Sequence, residues 1–125
     1  MSENEISYKV RGAIFKVYNN LGPGLLESVY ESALFYQLKK DGLAVIKQID
    51  LPVKYDDIYL DITFRLDILV EDKVIIELKS VEDLAPIHYK QVATYLRLTN
   101  KKLGLLVNFN TTNILNDIKR IANKI

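Results

Sequence analysis

The chain has 125 residues, of which 49% are hydrophobic and 26% charged, and its formal net charge is +1. This length suits one domain with one hydrophobic core, and the composition is that of a globular protein. The chain has no cysteine and one histidine, His88, which excludes disulfides, thiol catalysis, zinc thiolate sites and multi-histidine metal sites. No apolar run matches a membrane span and the N-terminus does not resemble a signal peptide, so we expect a single cytoplasmic domain over residues 1–125 with no membrane partner.

Two amphipathic helices are predicted in the first 40 residues. Ser2 and Glu5 have the spacing of a capping box, and apolar residues then recur at helical intervals, which predicts a helix over residues 3–20. The sequence Gly22-Pro23-Gly24 ends this helix. A second apolar stripe predicts a helix over residues 25–40.

Strands are predicted between residues 44 and 80, where β-branched and long apolar residues are frequent. Pro52 cannot donate a hydrogen bond to a neighbouring strand, so it marks a sheet edge or a break. The predicted extended segments are residues 44–50, 53–55, 58–63, 64–70 and 73–80.

The last two segments form a hairpin in which a three-residue loop, residues 71–73, gives a consistent register. A shorter loop would mix polar and apolar side chains on both faces. In this register one face is apolar, and the opposite face carries charges. The expected cross-strand pairs are Val70 with Val74, Leu69 with Ile75, Ile68 with Ile76, Asp67 with Glu77, Leu66 with Leu78, and Arg65 with Lys79.

The predicted pairing of Asp67 with Glu77 is unfavourable, because like charges that face each other repel. Lys79 would relieve part of this repulsion, and a bound hard cation such as Mg²⁺ would relieve more. The alternative is an ordinary ladder of surface ion pairs, and the three charges alone do not decide between the two.

The last part of the chain is predicted to contain a helix over residues 86–98, a strand over residues 103–109 and an amphipathic helix from Ile114 to Ile125. The strand is a near-continuous apolar run, which indicates burial on both faces. The preceding helix can serve as a right-handed crossover that returns this strand parallel to the strand of Glu77. We therefore expect an α/β sandwich with a mixed β-sheet flanked by helices.

Several of these residues, taken together, resemble the PD-(D/E)xK nuclease superfamily. Asp67 followed by Glu77-Leu78-Lys79 fits its signature, with Leu66 at the variable position of the signature proline. The segment Gly24-Leu25-Leu26-Glu27-Ser28-Val29-Tyr30 matches the motif that names the GxxExxY branch, and residues 91–95 (QVATY) fit the QxxxY motif of the recombination-nuclease branch. The resemblance extends over nearly the whole chain from residue 21 onward and implies a restriction-endonuclease-like fold.

The resemblance also implies a metal site. Asp67, Glu77 and the backbone carbonyl of Leu78 would bind Mg²⁺ or Mn²⁺. Lys79 would orient or deprotonate the attacking water and stabilise the developing negative charge. The position of Glu27 alone indicates only an acidic side chain that complements the helix dipole, whereas the resemblance implies that it reaches the metal directly or through water.

Three residues of the predicted helix at residues 86–98 would contribute to the same site. The resemblance implies that Gln91 positions the scissile phosphate or the water and that Tyr95 supports this face of the helix. His88 lies one turn before Gln91, so it either contacts phosphate or packs at the start of the helix. A lone histidine is more often structural.

The implied function is that of a metal-dependent nuclease that hydrolyses phosphodiester bonds through a metal-activated water, with DNA as the expected partner. A structure-specific junction or flap nuclease that works as a homodimer is an alternative, because a domain of this size covers little nucleic acid. A different alternative is a catalytically silent module that binds nucleic acid or a protein partner with the same fold. The presence of Asp67, Glu77 and Lys79 together favours the enzyme.

Overall fold

The structure is a computed structural model that describes residues 1–123. This part of the chain contains three α-helices, five β-strands and a short 3₁₀ turn. The helices are α1 (Glu3–Leu21), α2 (Glu27–Lys40) and α3 (Pro86–Thr99). The strands are β1 (Val45–Tyr55), β2 (Ile58–Val70), β3 (Val74–Lys79), β4 (Leu103–Asn108) and β5 (Ile118–Ala122), and the 3₁₀ turn is Ile114–Asp117. No helix among residues 1–123 is long and apolar enough to cross a membrane.

The five strands form one mixed sheet in the order β1-β2-β3-β4-β5. Strands β3 and β4 are parallel and the other neighbours are antiparallel. Helix α3 connects β3 to β4, which confirms the predicted crossover. Strand β1 joins two predicted segments into one edge strand, and its register shifts between Pro52 and Lys54, where the proline cannot donate to the ladder.

Helices cover both faces of the sheet, and each face has its own core. The first core lies between the sheet and helices α1 and α2, with Ile14 and Leu34 fully buried. The second core lies under α3, where Val92 and Leu96 pack against Leu106. The predicted fold class, an α/β sandwich with a mixed sheet flanked by helices, is therefore confirmed and is consistent with a restriction-endonuclease-like fold.

Strand β4 and helix α3 approach each other closely at Gly104. A Cβ atom added to Gly104 would lie 2.6 Å from Val92 Cγ1, well inside van der Waals contact. The glycine therefore sets the distance between α3 and the sheet.

The predicted closing helix from residue 114 is wrong, because residues 118–122 form strand β5 on the edge of β4. Ile118 packs in the first core and Ile121 packs with the second. A spacing of three places two residues on one side of a helix but on opposite faces of a strand. Strand β5 also covers an edge of β4 that would otherwise be open. Ile125, the end of the predicted helix, lies outside the described residues.

Candidate active site

The hairpin of β2 and β3 changes its pairing at Asp67. The predicted loop of residues 71–73 is confirmed, with positive φ angles at Glu71 and Asp72. The predicted pairing is confirmed at Val70–Val74, Leu69–Ile75 and Ile68–Ile76, where the regular ladder ends.

Past this point, carboxylates replace the backbone partners of the ladder. The Asp67 N–H donates to Glu77 Oε1 over 3.1 Å, and the Leu78 N–H donates to Asp67 Oδ2 over 2.9 Å. The two acidic side chains therefore lie side by side in the gap between β2 and β3, as the register predicts.

The predicted register is wrong beyond Asp67, first at Leu66 and then at Arg65. Leu66 packs in the second core with Leu69 instead of joining Ile68 and Val70 on the other face. On β1, Gln48 lies between the partners of Ile68 and Leu66 and has a φ of 53°, so the pairing of β1 with β2 is irregular opposite Asp67.

Arg65 also differs from the expectation that it lies across from Lys79. It forms an ion pair with Asp50 of β1 at 2.8 Å, because the ladder to β3 does not reach it. The charged side chains near the hairpin gap are consequently Asp67, Glu77 and Lys79 without the arginine.

Burial perturbs both carboxyl groups of the gap. Glu77 is only 5% exposed, and burial together with the neighbouring Asp67 charge raises its pKa from 4.5 to about 9. Burial also raises the pKa of Asp67, although its hydrogen bond from Leu78, its bond with Glu77 and the charge of Lys79 act in the opposite direction. At neutral pH the metal-free pair therefore retains a proton.

Lys79 ends β3 at the same edge of the sheet, where it is half-buried and pairs in register with Asn108 of β4. The pKa values of Glu27, Asp67 and Glu77 are all raised, and the positive charge of Lys79 opposes the rise in each of them. One ammonium group thus acts on three carboxyl groups that come from α2, β2 and β3.

Glu27 is the first residue of α2, which begins two residues later than predicted. It is exposed, and partial burial of its carboxyl, with the charges of Asp67 and Glu31, raises its pKa. The loop before it is fastened to the end of β3, because Ser80 Oγ donates to the Leu25 carbonyl over 2.6 Å. This bond holds Glu27 beside Lys79.

The side chain of Tyr30 also holds the loop between α1 and α2, which precedes Glu27. Its hydroxyl donates to the Gly22 carbonyl over 2.5 Å and accepts from the Leu25 N–H over 3.1 Å. Its ring is buried and stacks on Phe109, with ring centroids 4.4 Å apart. Gly24 has a φ of +92°, which favours glycine and completes the turn.

Tyr30 and Ser80 are positioning residues that the sequence analysis did not assign to the site. Tyr30 lies on the apolar stripe of α2, which indicates only a core residue. Tyr30 is the last residue of the GxxExxY segment, one turn after Glu27, and this position was the signal that could have assigned it to the site. Ser80 had no such signal beyond its position next to Lys79.

Helix α3 brings Tyr95 to the carboxylates. Burial and the charges of Glu77 and Asp67 raise the pKa of Tyr95, and its ring stacks on Phe64 with centroids 5.0 Å apart. Gln91 is exposed and lies one helical turn before Tyr95. The charges of the pair therefore act on Tyr95, and Gln91 lies on the adjoining surface of α3.

His88 lies at the start of α3 and is half-buried. Its Nδ1 accepts a hydrogen bond from the Ala85 N–H over 3.0 Å. This bond satisfies a backbone donor at the helix N-terminus, which gives the residue a structural role. Contact of His88 with a phosphate stays a prediction.

The chemistry of the gap fits a hard divalent cation. Mg²⁺ is usually held by one or two carboxylates with several waters, and Asp67 and Glu77 supply two. The N–H and C=O of one residue point toward the same strand in an antiparallel pair, so the Leu78 carbonyl faces the gap as its amide does. No group of three or more Asp, Glu, His or Cys residues within residues 1–123 forms a larger set of ligands.

The mixed sheet, its flanking helices and the carboxylate pair at one end of a hairpin define an α/β domain of restriction-endonuclease-like fold. The family model of the PD-(D/E)XK nuclease superfamily matches residues 4–121, and the chain belongs to this superfamily. No curated protein and no solved structure matches the chain. Superfamily membership supports the class of nucleases, which act on nucleic acid and typically use divalent metals.

Proposed function

We propose that the protein is a Mg²⁺- or Mn²⁺-dependent nuclease that hydrolyses phosphodiester bonds of DNA. One observation carries the proposal: the carboxyl groups of Asp67 and Glu77 replace the backbone partners where the β2–β3 ladder ends, at the edge of the sheet where Lys79 ends β3. An ordinary surface ion pair does not require a buried carboxyl group, that of Glu77, next to the half-buried carboxyl group of Asp67. Burying such groups is costly unless they serve a ligand.

Asp67, Glu77 and the carbonyl of Leu78 are the proposed metal ligands. A bound divalent cation would lower the pKa of a coordinated water and neutralise charge on the phosphate. The proton that the pair retains at neutral pH would leave when the cation binds. The two carboxylates would then face a positive charge instead of each other.

Lys79 is the proposed catalytic residue for water activation and charge stabilisation. The residue is half-buried, and the parallel pairing with β4 fixes its backbone at the end of β3. Glu27 is exposed and beside Lys79, so it can accept a proton from water or bind the cation through a water. Gln91 would contact the phosphate, Tyr95 would support the carboxylates, and His88 would add a minor contact.

We also propose that the protein belongs to the GxxExxY branch. In the structure of this segment, each of the three motif residues has a separate role. Gly24 allows the turn, Glu27 faces the site and Tyr30 anchors the loop. These roles explain why the three residue types recur at that spacing, which supports the assignment.

The test is to incubate the purified protein with single-stranded, double-stranded and branched DNA and with RNA, each with Mn²⁺, with Mg²⁺ and with chelator. We expect metal-dependent cleavage of at least one DNA substrate and none with chelator. Binding of DNA without cleavage under every metal condition would contradict the enzyme and identify a catalytically silent binding module. Cleavage of RNA alone would contradict the proposed substrate.

A further inference from the structure

The far end of the β1–β2 hairpin is exposed and apolar. All residues from 54 to 63 are exposed. Five large apolar side chains among them are between 38% and 67% exposed, namely Tyr55, Ile58, Tyr59, Leu60 and Ile62. A two-stranded ribbon is marginally stable in water, and a cluster of exposed apolar side chains marks an interaction surface.

The charge of this hairpin end disfavours nucleic acid. Asp56, Asp57 and Asp61 outnumber Lys54, the one basic residue of the segment, which gives a net charge of −2 over residues 54–63 (1 − 3 = −2). Phosphate groups would be repelled. A protein surface that is basic and has apolar walls would be complementary.

Helix α1 carries such a surface on its solvent side. A groove of about 560 Å³ lies there, with the aromatic rings of Tyr8 and Phe15 among its walls. Tyr8 is 81% exposed. Lys9, Arg11 and Lys16 line the groove, and Asp41 at its margin pairs with Lys16 at 3.4 Å. The groove is therefore aromatic and net basic, the complement of the hairpin end.

Gly12 lines the same groove, and no contact within residues 1–123 of one copy requires a glycine there. It lies in the interior of α1, where glycine is among the least favourable residues. Apart from its chain neighbours and the backbone of its own helix, a Cβ atom at this position would meet no atom of residues 1–123 within 4 Å. A neighbour that approaches the helix backbone closely would explain the absence of a side chain.

We propose that residues 55–59 of one copy dock in the Gly12 groove of a second copy. The exchange is reciprocal, so that each copy gives its hairpin end and offers its groove, and a two-fold dimer closes. The two surfaces differ, and reciprocal exchange is the smallest closed arrangement that keeps such a contact from growing into an open chain. The inference rests on surfaces outside the carboxylate pair and does not depend on nuclease activity.

Charge exchange between the two surfaces tests the proposal. The hairpin variant Asp56→Lys/Asp57→Lys and the groove variant Lys9→Glu/Arg11→Glu each place like charges on both surfaces. Sedimentation equilibrium should show a wild-type dimer that weakens with salt, and about a tenfold or greater rise in the dimer dissociation constant for each variant. An equimolar mixture of the two variants should recover the dimer, because both contacts then join opposite charges.

Matched variants separate this contact from unfolding and from general charge effects. Glu82→Lys/Asp83→Lys adds the same positive charge outside both surfaces and should leave the dimer unchanged. Gly12→Gln should fill the groove and weaken the dimer, while thermal melts show a fold at least as stable as wild type. Glu77→Gln should dimerise like wild type, so the outcome is independent of the proposed metal site.

Three results would overturn the proposal. The first is a wild-type protein that stays monomeric at high micromolar concentration. The second is a dimer that the hairpin and groove variants leave intact, or whose loss their mixture does not repair. The third is a monomer whose groove variant loses affinity for duplex DNA, which would identify the groove as a nucleic-acid surface.

Discussion

The backbone N–H of Asp67 donates a hydrogen bond to the carboxylate of Glu77, 3.1 Å away, where the ladder between their strands ends. The position of the acidic pair is therefore set by main-chain geometry. The same arrangement places two carboxyl groups in a poorly solvated gap and raises the pKa of both. The acidic pair should therefore attract a cation, and it should lower the stability of the fold when no cation is bound.

The metal-free protein should lose stability as the pH rises. The pKa of Glu77 is about 9 in the folded protein and near 4.5 in the unfolded chain, so the folded state binds more protons between these values. Its contribution to stability is complete below about pH 4.5 and disappears as the pH approaches 9. Urea unfolding in chelator should show a decline of at most about 1.4 kcal/mol per pH unit for each retained proton.

Two variants test whether the decline in stability with pH comes from Glu77. Glu77→Gln keeps the shape of the side chain and removes its titration, so its decline between pH 5 and 9 should be shallower than that of wild type. Its stability at neutral pH should equal or slightly exceed that of wild type. Glu82→Gln, at an exposed position, should follow the wild-type curve. Equal slopes for wild type and Glu77→Gln would contradict the raised pKa.

Divalent metal should reverse this instability. A ligand that binds only the folded state at about a hundred times its dissociation constant raises the unfolding free energy by about 2.7 kcal/mol. Mn²⁺ or Mg²⁺ should thus stabilise wild type, with a larger effect at pH 8 than at pH 6 because protons compete less. Asp67→Asn and Glu77→Gln should show little of this gain in thermal melts, and a full gain in either would exclude these residues as ligands.

Loss of the Tyr30 hydroxyl should slow cleavage of the substrate because it displaces Glu27. Tyr30→Phe keeps the ring on Phe109 but removes the bonds to Gly22 and Leu25, at a cost of about 1 kcal/mol in stability. A displaced Glu27 should lower the cleavage rate about ten- to a hundredfold. The check is a double-mutant cycle in which Tyr30→Phe adds no further loss to Glu27→Gln. Additive losses would mean that Tyr30 acts on another residue.

The close approach at Gly104 should make it intolerant of a side chain. The Cβ of Gly104→Ala would press on Val92, and overpacking of this kind costs about 1–3 kcal/mol. Val92→Ala should reduce that cost in the double variant, so the two effects should be less than additive. Gly12→Ala is the matched control, since its open helical position should gain stability. Urea unfolding of wild type and the four variants measures each value, and full additivity would contradict the contact.

The hairpin could be predicted from the sequence because its register has one solution that separates apolar from charged faces. The prediction failed past Asp67, where the β2–β3 ladder ends and β1 has a positive φ at Gln48 that no residue type there requires. The closing helix failed because Ile118 and Ile121 fit both a helical stripe and a strand with two buried faces. Pairing with β4, a contact distant in sequence, decided between them.

The site itself was predictable only in part. The hairpin register predicts that Asp67 lies across from Glu77, whereas Glu27 could be placed beside them only by resemblance to known sequences. The structure supplies the missing connection, because the bonds of Ser80 and Tyr30 hold the loop of Glu27 against the end of β3. Such long-range bonds leave no periodic pattern. The metal, the DNA substrate and the cytoplasmic location stay predictions.

Lys79→Met separates a catalytic lysine from one that only balances charge. If the lysine is catalytic, the variant should fold and bind Mn²⁺ at least as tightly as wild type, since a competing cation is gone. Its cleavage rate should nevertheless fall by about two to four orders of magnitude. Folding, metal affinity and turnover must be measured on one preparation. A metal-bound variant that cleaves at the wild-type rate would remove Lys79 from the mechanism.

The most direct test of the metal site is the cleavage rate of Glu77→Gln in Mn²⁺, compared with wild type and with Glu82→Gln purified in the same way. Both substitutions remove one carboxylate, but only the first lies in the gap beside Asp67. We predict that Glu77→Gln stays folded and has no metal-dependent cleavage, while Glu82→Gln cleaves DNA at the wild-type rate. Metal-dependent cleavage by a folded Glu77→Gln protein at the wild-type rate would contradict the site.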